Sequence, residues 1–190
     1  FLGGGTDFQT PVNDALRLMD EEDLENADIV FITSVVKDRK VSGDEKRVET
    51  KRQRVNMISA VSSQGKVRFM IYQDTMNQQR LIQFMERLIR SSKQKVFLIL
   101  DNLKVHHGKL AAAWLERHKD KMEVFFLPPY APEYNPDEYL NHALKISVHS
   151  GQLPYTVEDI SHKVRSFMRK LQHRPHLVSC FFHHQTLSYL

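Results

Sequence analysis

Apolar positions along the chain change period several times, and each change marks an element. Val12, Leu16 and Met19 fall at helical spacing near the start, and acidic residues 20–23 follow them. Residues 28–36 (DIVFITSVV) form a β-branched run that predicts a buried strand. Residues 36–54 are almost wholly polar and contain the turn signal Ser42-Gly43-Asp44, which predicts a loop. Residues 55–62 and 66–73 read as two strands joined through Ser63-Gln64-Gly65 as a hairpin. Residues 78–90 place Leu81, Ile82, Met85, Leu88 and Ile89 on one helical face. Residues 95–100 (KVFLIL) are apolar without alternation, as expected of a strand covered on both faces. A helix over 109–118 and a strand over 122–127 come next, and Pro128-Pro129 ends that strand. Asn135 as N-cap and Pro136 at the first position predict a helix over 136–148. A further helix is expected over 156–171 and a short docked helix in the tail, 175–190.

The order is strand, hairpin, helix, strand, helix, strand, helix, which is a mixed-sheet α/β pattern. In such sheets ligands bind at the carboxyl ends of the parallel strands. The 190 residues suffice for one α/β domain. No apolar run approaches membrane-spanning length, so no membrane partner is expected. A single cysteine, Cys180, excludes an internal disulfide framework and a cysteine-based zinc site. With 27 Lys+Arg against 23 Asp+Glu the net charge is +4, which suits a nucleic-acid partner without requiring one. The chain opens on Phe1 with no signal-peptide pattern, and reads as a cytoplasmic piece of something larger.

Candidate chemistry gathers after the apolar strand. Asp101 follows residues 95–100 directly, so its carboxylate is held at the sheet edge, and Asn102, His106 and His107 follow in one short loop. Glu138 lies in the first turn of the helix that Asn135 caps, and the proline-rich segment 128–132 stiffens the approach to it. Taken singly, Asp101 would serve as a cap and Glu138 would favour the helix dipole. Taken together, two carboxylates on rigid elements suit a hard cation, Mg²⁺ or Mn²⁺. Two such ions, about 3.5–4 Å apart, would activate a water and stabilise a leaving oxygen in phosphodiester cleavage. Adjacent His106 and His107 point in different directions, which disfavours a zinc pair. The basic cluster over 46–54 is either a solvated loop or a nucleic-acid contact.

The strings Leu98-Ile99-Leu100-Asp101-Asn102, Val105-His106-His107-Gly108-Lys109 and residues 126–138 (FLPPYAPEYNPDE) resemble the catalytic domain of mariner-type DDE transposases, bacterial insertion-sequence branch. The resemblance runs from about residue 51 to 190. It implies an RNase H-like mixed sheet flanked by helices, with a short N-terminal α/β appendage, and Mg²⁺- or Mn²⁺-dependent cleavage and joining of DNA strands. Asp101 matches the second catalytic aspartate and Glu138 the third acidic residue, with 36 residues between them. Both are then the metal ligands, and Asp137 is the variable position before the glutamate. The partners implied are DNA, as transposon ends or nonspecific duplex, and a second copy or a full-length transposase. Lys51, Arg52, Arg54, His106 and Lys109 are the candidate DNA contacts. The location implied is the bacterial cytoplasm, nucleoid-associated when DNA is bound.

Two departures accompany the match. The first catalytic aspartate is not found, because the upstream strand ends in Thr33-Ser34 where the family has Asp-Glu. The expected result is impaired activity, with an inactive DNA-binding or transposase-partner remnant as the alternative. No helix-turn-helix pattern precedes residue 55. Residues 1–33 resemble a fragment of a von Willebrand factor A domain, in which Thr6 and Asp7 would belong to an adhesion loop, so an adhesion-type binding module is a second alternative. The organisation expected is thus 1–35 as that fragment, 36–54 as a polar junction, and 55–190 as the catalytic domain. Residues 27–35 either occupy the first-strand position of the sheet or leave it frayed, and their apolar pattern favours occupation.

Overall fold

A computed structural model describes residues 10–21, 28–39, 53–101, 107–128, 135–151, 154 and 156–183. The elements run α1 (Thr10–Glu21), β1 (Asp28–Arg39), β2 (Gln53–Ser62), β3 (Val67–Tyr72), α2 (Gln78–Ser91), β4 (Val96–Leu100), α3 (Lys109–Arg117), β5 (Met122–Phe126), α4 (Pro136–His149), α5 (Val157–Gln172) and α6 (Pro175–Ser179). A 3₁₀ turn, Cys180–Phe182, follows α6.

The five strands form one mixed sheet in the order β3-β2-β1-β4-β5. β1 is its centre, antiparallel to β2 and parallel to β4, and β4 is parallel to β5. The upstream strand therefore occupies the first-strand slot, as its β-branched composition predicts. Val12 and Ala15 of α1 are buried in the core beside Phe97 and Ile99 of β4.

Side chains alternate across the sheet with period two, so each strand feeds two cores. Ile29, Phe31, Met57, Val61, Phe97 and Ile99 face the layer of α1, α4 and α5. Val30, Ile32, Ile58, Ala60, Leu98 and Leu100 face α2 and α3. All five residues of β4 are buried, which explains its unbroken apolar string.

Caps fix the helix starts. Asn77 accepts from the Arg80 amide at α2, and Thr156 and Asp159 form a reciprocal capping box at α5. The β2–β3 turn closes through Gly65 at φ 79°, and an added Cβ there would lie 2.6 Å from the carbonyl oxygen of Pro175 in α6.

Strand ends differ from expectation at one place. β1 continues to Arg39 and β2 starts at Gln53, through the pairs Lys37–Val55, Asp38–Arg54 and Arg39–Gln53. Antiparallel backbone pairing extends the ribbon past the apolar run, where hydropathy gives no signal. Thr6, Asp7, Lys51, Arg52 and His106 lie outside the described residues.

Candidate active site

Three strands and one helix meet at Ile32. In the parallel register Ile32 stands opposite Leu100, the last residue of β4, and Leu100 stands opposite Phe126, the last residue of β5. The Leu127 amide donates to the Leu100 carbonyl at 2.8 Å, which carries the pairing one step beyond β5. Asp101 follows Leu100 and is half-buried at this carboxyl edge. It continues the odd-numbered row of Phe97 and Ile99, on the side of the sheet that α4 covers.

The start of α4 is tied to the same level. Asn135 is its N-cap, and its Oδ1 accepts from the Asp137 amide at 3.0 Å. The other end of the same amide group, Nδ2, donates to the Ile32 carbonyl at 3.2 Å. Asp137, next in the first turn, turns into the protein. Its Oδ2 accepts a hydrogen bond from Ser59 Oγ of β2 at 2.8 Å. Asn135, Asp137 and Ser59 are 1%, 0% and 0% exposed. Such deep polar groups are tolerated only where hydrogen bonds replace lost water. Glu138 follows, half-buried, with its amide bonded to the Asn135 carbonyl at 3.0 Å. Leu140, Leu144 and Val148 then anchor the rest of the helix in the core.

Both sequence-predicted acids are thus anchored at one point of the central strand, Asp101 through the Leu100–Ile32 register and Glu138 through the Asn135–Ile32 hydrogen bond. Ser59 stands opposite Thr33 in the antiparallel register. The parallel register of β1 with β4 ends at the Ile32–Leu100 pair, and the next residue of β1 is Thr33. The β1 residue that follows this pair is therefore a hydroxyl residue and not an acid. Asp28 sits opposite Val96, at the far end of β4. Asp74 is engaged with Arg80 at 2.7 Å on the exposed surface.

Lys109 opens α3 and is exposed at the carboxyl edge, because α3 begins just after the loop that leaves β4. The α3 start has no cap of its own: Gly108 supplies no side chain. Gln78, the first residue of α2, substitutes for it, and its Oε1 accepts from the amides of Leu110 (2.9 Å) and Ala111 (3.3 Å). A Cβ on Gly108 would collide with the Gln78 amide, so a larger residue there would have to displace the side chain that caps α3. The exposed His107 ring lies 4.3 Å, centroid to centroid, from Phe126 at the end of β5. Arg54 is placed by its backbone in β2 opposite Asp38.

Sequence reading missed the Ser59–Asp137 pair. A serine in an apolar strand and an aspartate in a first helical turn each have an ordinary local explanation, and the two are 78 residues apart.

The family model described as DDE superfamily endonuclease matches residues 16–161. The chain belongs to that family. The match begins inside α1 and includes β1, upstream of residue 51. No curated protein matches the chain. Among solved structures, the catalytic domain of Mos1 mariner transposase is similar at a TM-score of 0.59 and 15% identity, over 96% of this chain and 91% of that one. The Mos1 catalytic domain with raltegravir and Mn is similar at 0.58 and 15%, over 99% and 96%. The Mos1 paired-end complex with Mn is similar at 0.62 and 16%, over 99% of this chain but 63% of that one. These likenesses establish the RNase H-like fold of mariner transposase catalytic domains. This chain spans about three fifths of the Mos1 chains in the paired-end complexes.

Proposed function

We propose that the chain is a transposase catalytic domain that cleaves and joins DNA strands, impaired by the lack of a first catalytic aspartate, with Asp101 and Glu138 as the acidic pair that holds Mg²⁺ or Mn²⁺ beside a DNA phosphate. The observation that carries this reading is the shared anchorage of both acids at Ile32. Family membership supports the reaction class, and similar Mos1 complexes were solved with Mn and with Mg.

The donor chemistry fits a hard cation. Mg²⁺ is commonly held by one or two carboxylates together with water and substrate phosphate. Among the described residues no group of three His, Cys, Asp or Glu is arranged to hold a metal. With Thr33, and not an acid, following Ile32 in β1, the residues present suit one ion better than a closely spaced pair. When bound, such an ion polarises a phosphoryl oxygen and makes its water more acidic. The protein's own part is to hold both carboxylates on rigid elements, one ending a buried strand and one starting a capped helix, so that little reorganisation accompanies binding.

DNA, as transposon ends or nonspecific duplex, is the partner. Lys109, together with Lys51, Arg52, Arg54 and His106, would contact its backbone. A second copy or a full-length transposase is the protein partner, and only the full-length transposase would supply end recognition. Such a protein would work in the bacterial cytoplasm at the nucleoid. Among the described residues no helix is long and apolar enough to cross a membrane.

Plasmid nicking tests the reading. Supercoiled DNA incubated with the chain and Mg²⁺ should be nicked, and both Asp101→Ala and Glu138→Ala should return nicking to background. Metal-dependent nicking that survives either substitution would overturn the assignment, and absence of nicking by the unaltered chain would overturn the activity.

A further inference from the structure

The excess of positive over negative charge lies at one end of the chain, where acids are absent. Residues 160–190 contain five Lys or Arg and no Asp or Glu, whereas the other 159 residues carry 22 basic and 23 acidic side chains. The whole excess of +4 therefore arises from this last segment. Five of the ten histidines lie there as well.

Helix α5 displays much of that charge as a stripe. Its apolar face, Ile160, Val164, Met168 and Leu171, is buried in the core. On the outer side His162, Arg165, Arg169 and His173 follow at steps of three, four and four, the repeat that keeps side chains on one face. All four are exposed, and so is Lys170. With Ser166 they line an open groove of about 280 Å³. Among the described residues no ion pair engages Arg165, Arg169 or Lys170. Lys163, in contrast, is turned toward α4, where its Nζ donates to the carbonyls of Val148 and Ser150. It caps α4 and is not part of the stripe.

We propose that the outer face of α5 is a second docking surface for duplex DNA, reading its phosphates without base specificity. This rests on the reading of the protein as one that handles DNA, and adds a surface none of the candidate contacts covers. Charge complementarity selects the partner. The stripe extends over about 16 Å of helix at 1.5 Å per residue. Over that length one DNA strand presents about five phosphates, at 3.4 Å of axis each. Arginines at helical spacing can meet several of them at once, each through a planar fork suited to phosphate oxygens.

The test is fluorescence anisotropy of the full chain on a random-sequence duplex across a salt series. The double variant R165E/R169E should bind about tenfold more weakly at about 100 mM salt, and its log–log salt slope should be smaller by about 2, near 0.9 for each lost contact. The variant R87E/R90E makes the same charge change on exposed residues of α2, across the sheet, and should bind like the unaltered chain. Matching thermal midpoints would show that both variants are folded. Unchanged affinity and slope in R165E/R169E would overturn the proposal, as would an equal loss in both variants. Retained DNA binding with lost binding to phosphatidylserine vesicles would also overturn it, by assigning the stripe to lipid. These outcomes leave the nicking test of Asp101 and Glu138 standing separately.

Discussion

A buried serine and a buried aspartate join β2 to the first turn of α4, and their hydrogen bond sits one strand from the Thr33 position. Removing the donor leaves a carboxylate inside the protein with one fewer partner, which costs about 1–3 kcal/mol. Ser59→Ala should therefore lower unfolding free energy by about that amount in urea titrations. Ser59→Thr, which keeps the hydroxyl, should lose less. The positions of Asp101 and Glu138 in the fold were legible because each lies at a boundary that sequence marks well: an apolar strand's end, and an Asn-Pro helix start. The inward turn of Asp137 was not legible. Asp137 and Glu138 are neighbours with the same charge, and only tertiary packing sends one into the core and leaves the other half-exposed.

The elements themselves were legible almost throughout, because both cores are built by alternation and helical stripes. What hydropathy could not show is cooperation between elements. Helix α3 has a glycine at its N-cap and borrows an acceptor from Gln78 at the start of α2. Gln78→Ala should cost about 1 kcal/mol, the usual effect of losing a cap. Gln78→Glu should keep the acceptor and add a charge that the helix start favours. Paired urea titrations of the two variants check this, and equal losses in both would disprove the borrowed cap. The polar ends of β1 and β2 follow the same logic. Lys37, Asp38 and Arg39 are strand because Val55, Arg54 and Gln53 lie opposite them, and their own hydropathy argues for a loop.

At the scale of the molecule, the sheet depends on its middle. β1 supplies the pairing between the β2–β3 hairpin and the β4–β5 pair, which lie on opposite sides of it. Ile29, Val30, Phe31 and Ile32 are buried, with alternate residues in each of the two cores. A chain beginning at residue 40 should lose its cooperative thermal transition in calorimetry. Adding a synthetic peptide of residues 28–39 should restore one, as a missing strand supplied from outside. The strand that carries Thr33 and Ser34 is thus the keystone of the architecture. Loss of that strand would leave the β2–β3 hairpin and the β4–β5 pair without a shared ladder, and Leu100 and Asn135 without the common residue to which both are tied.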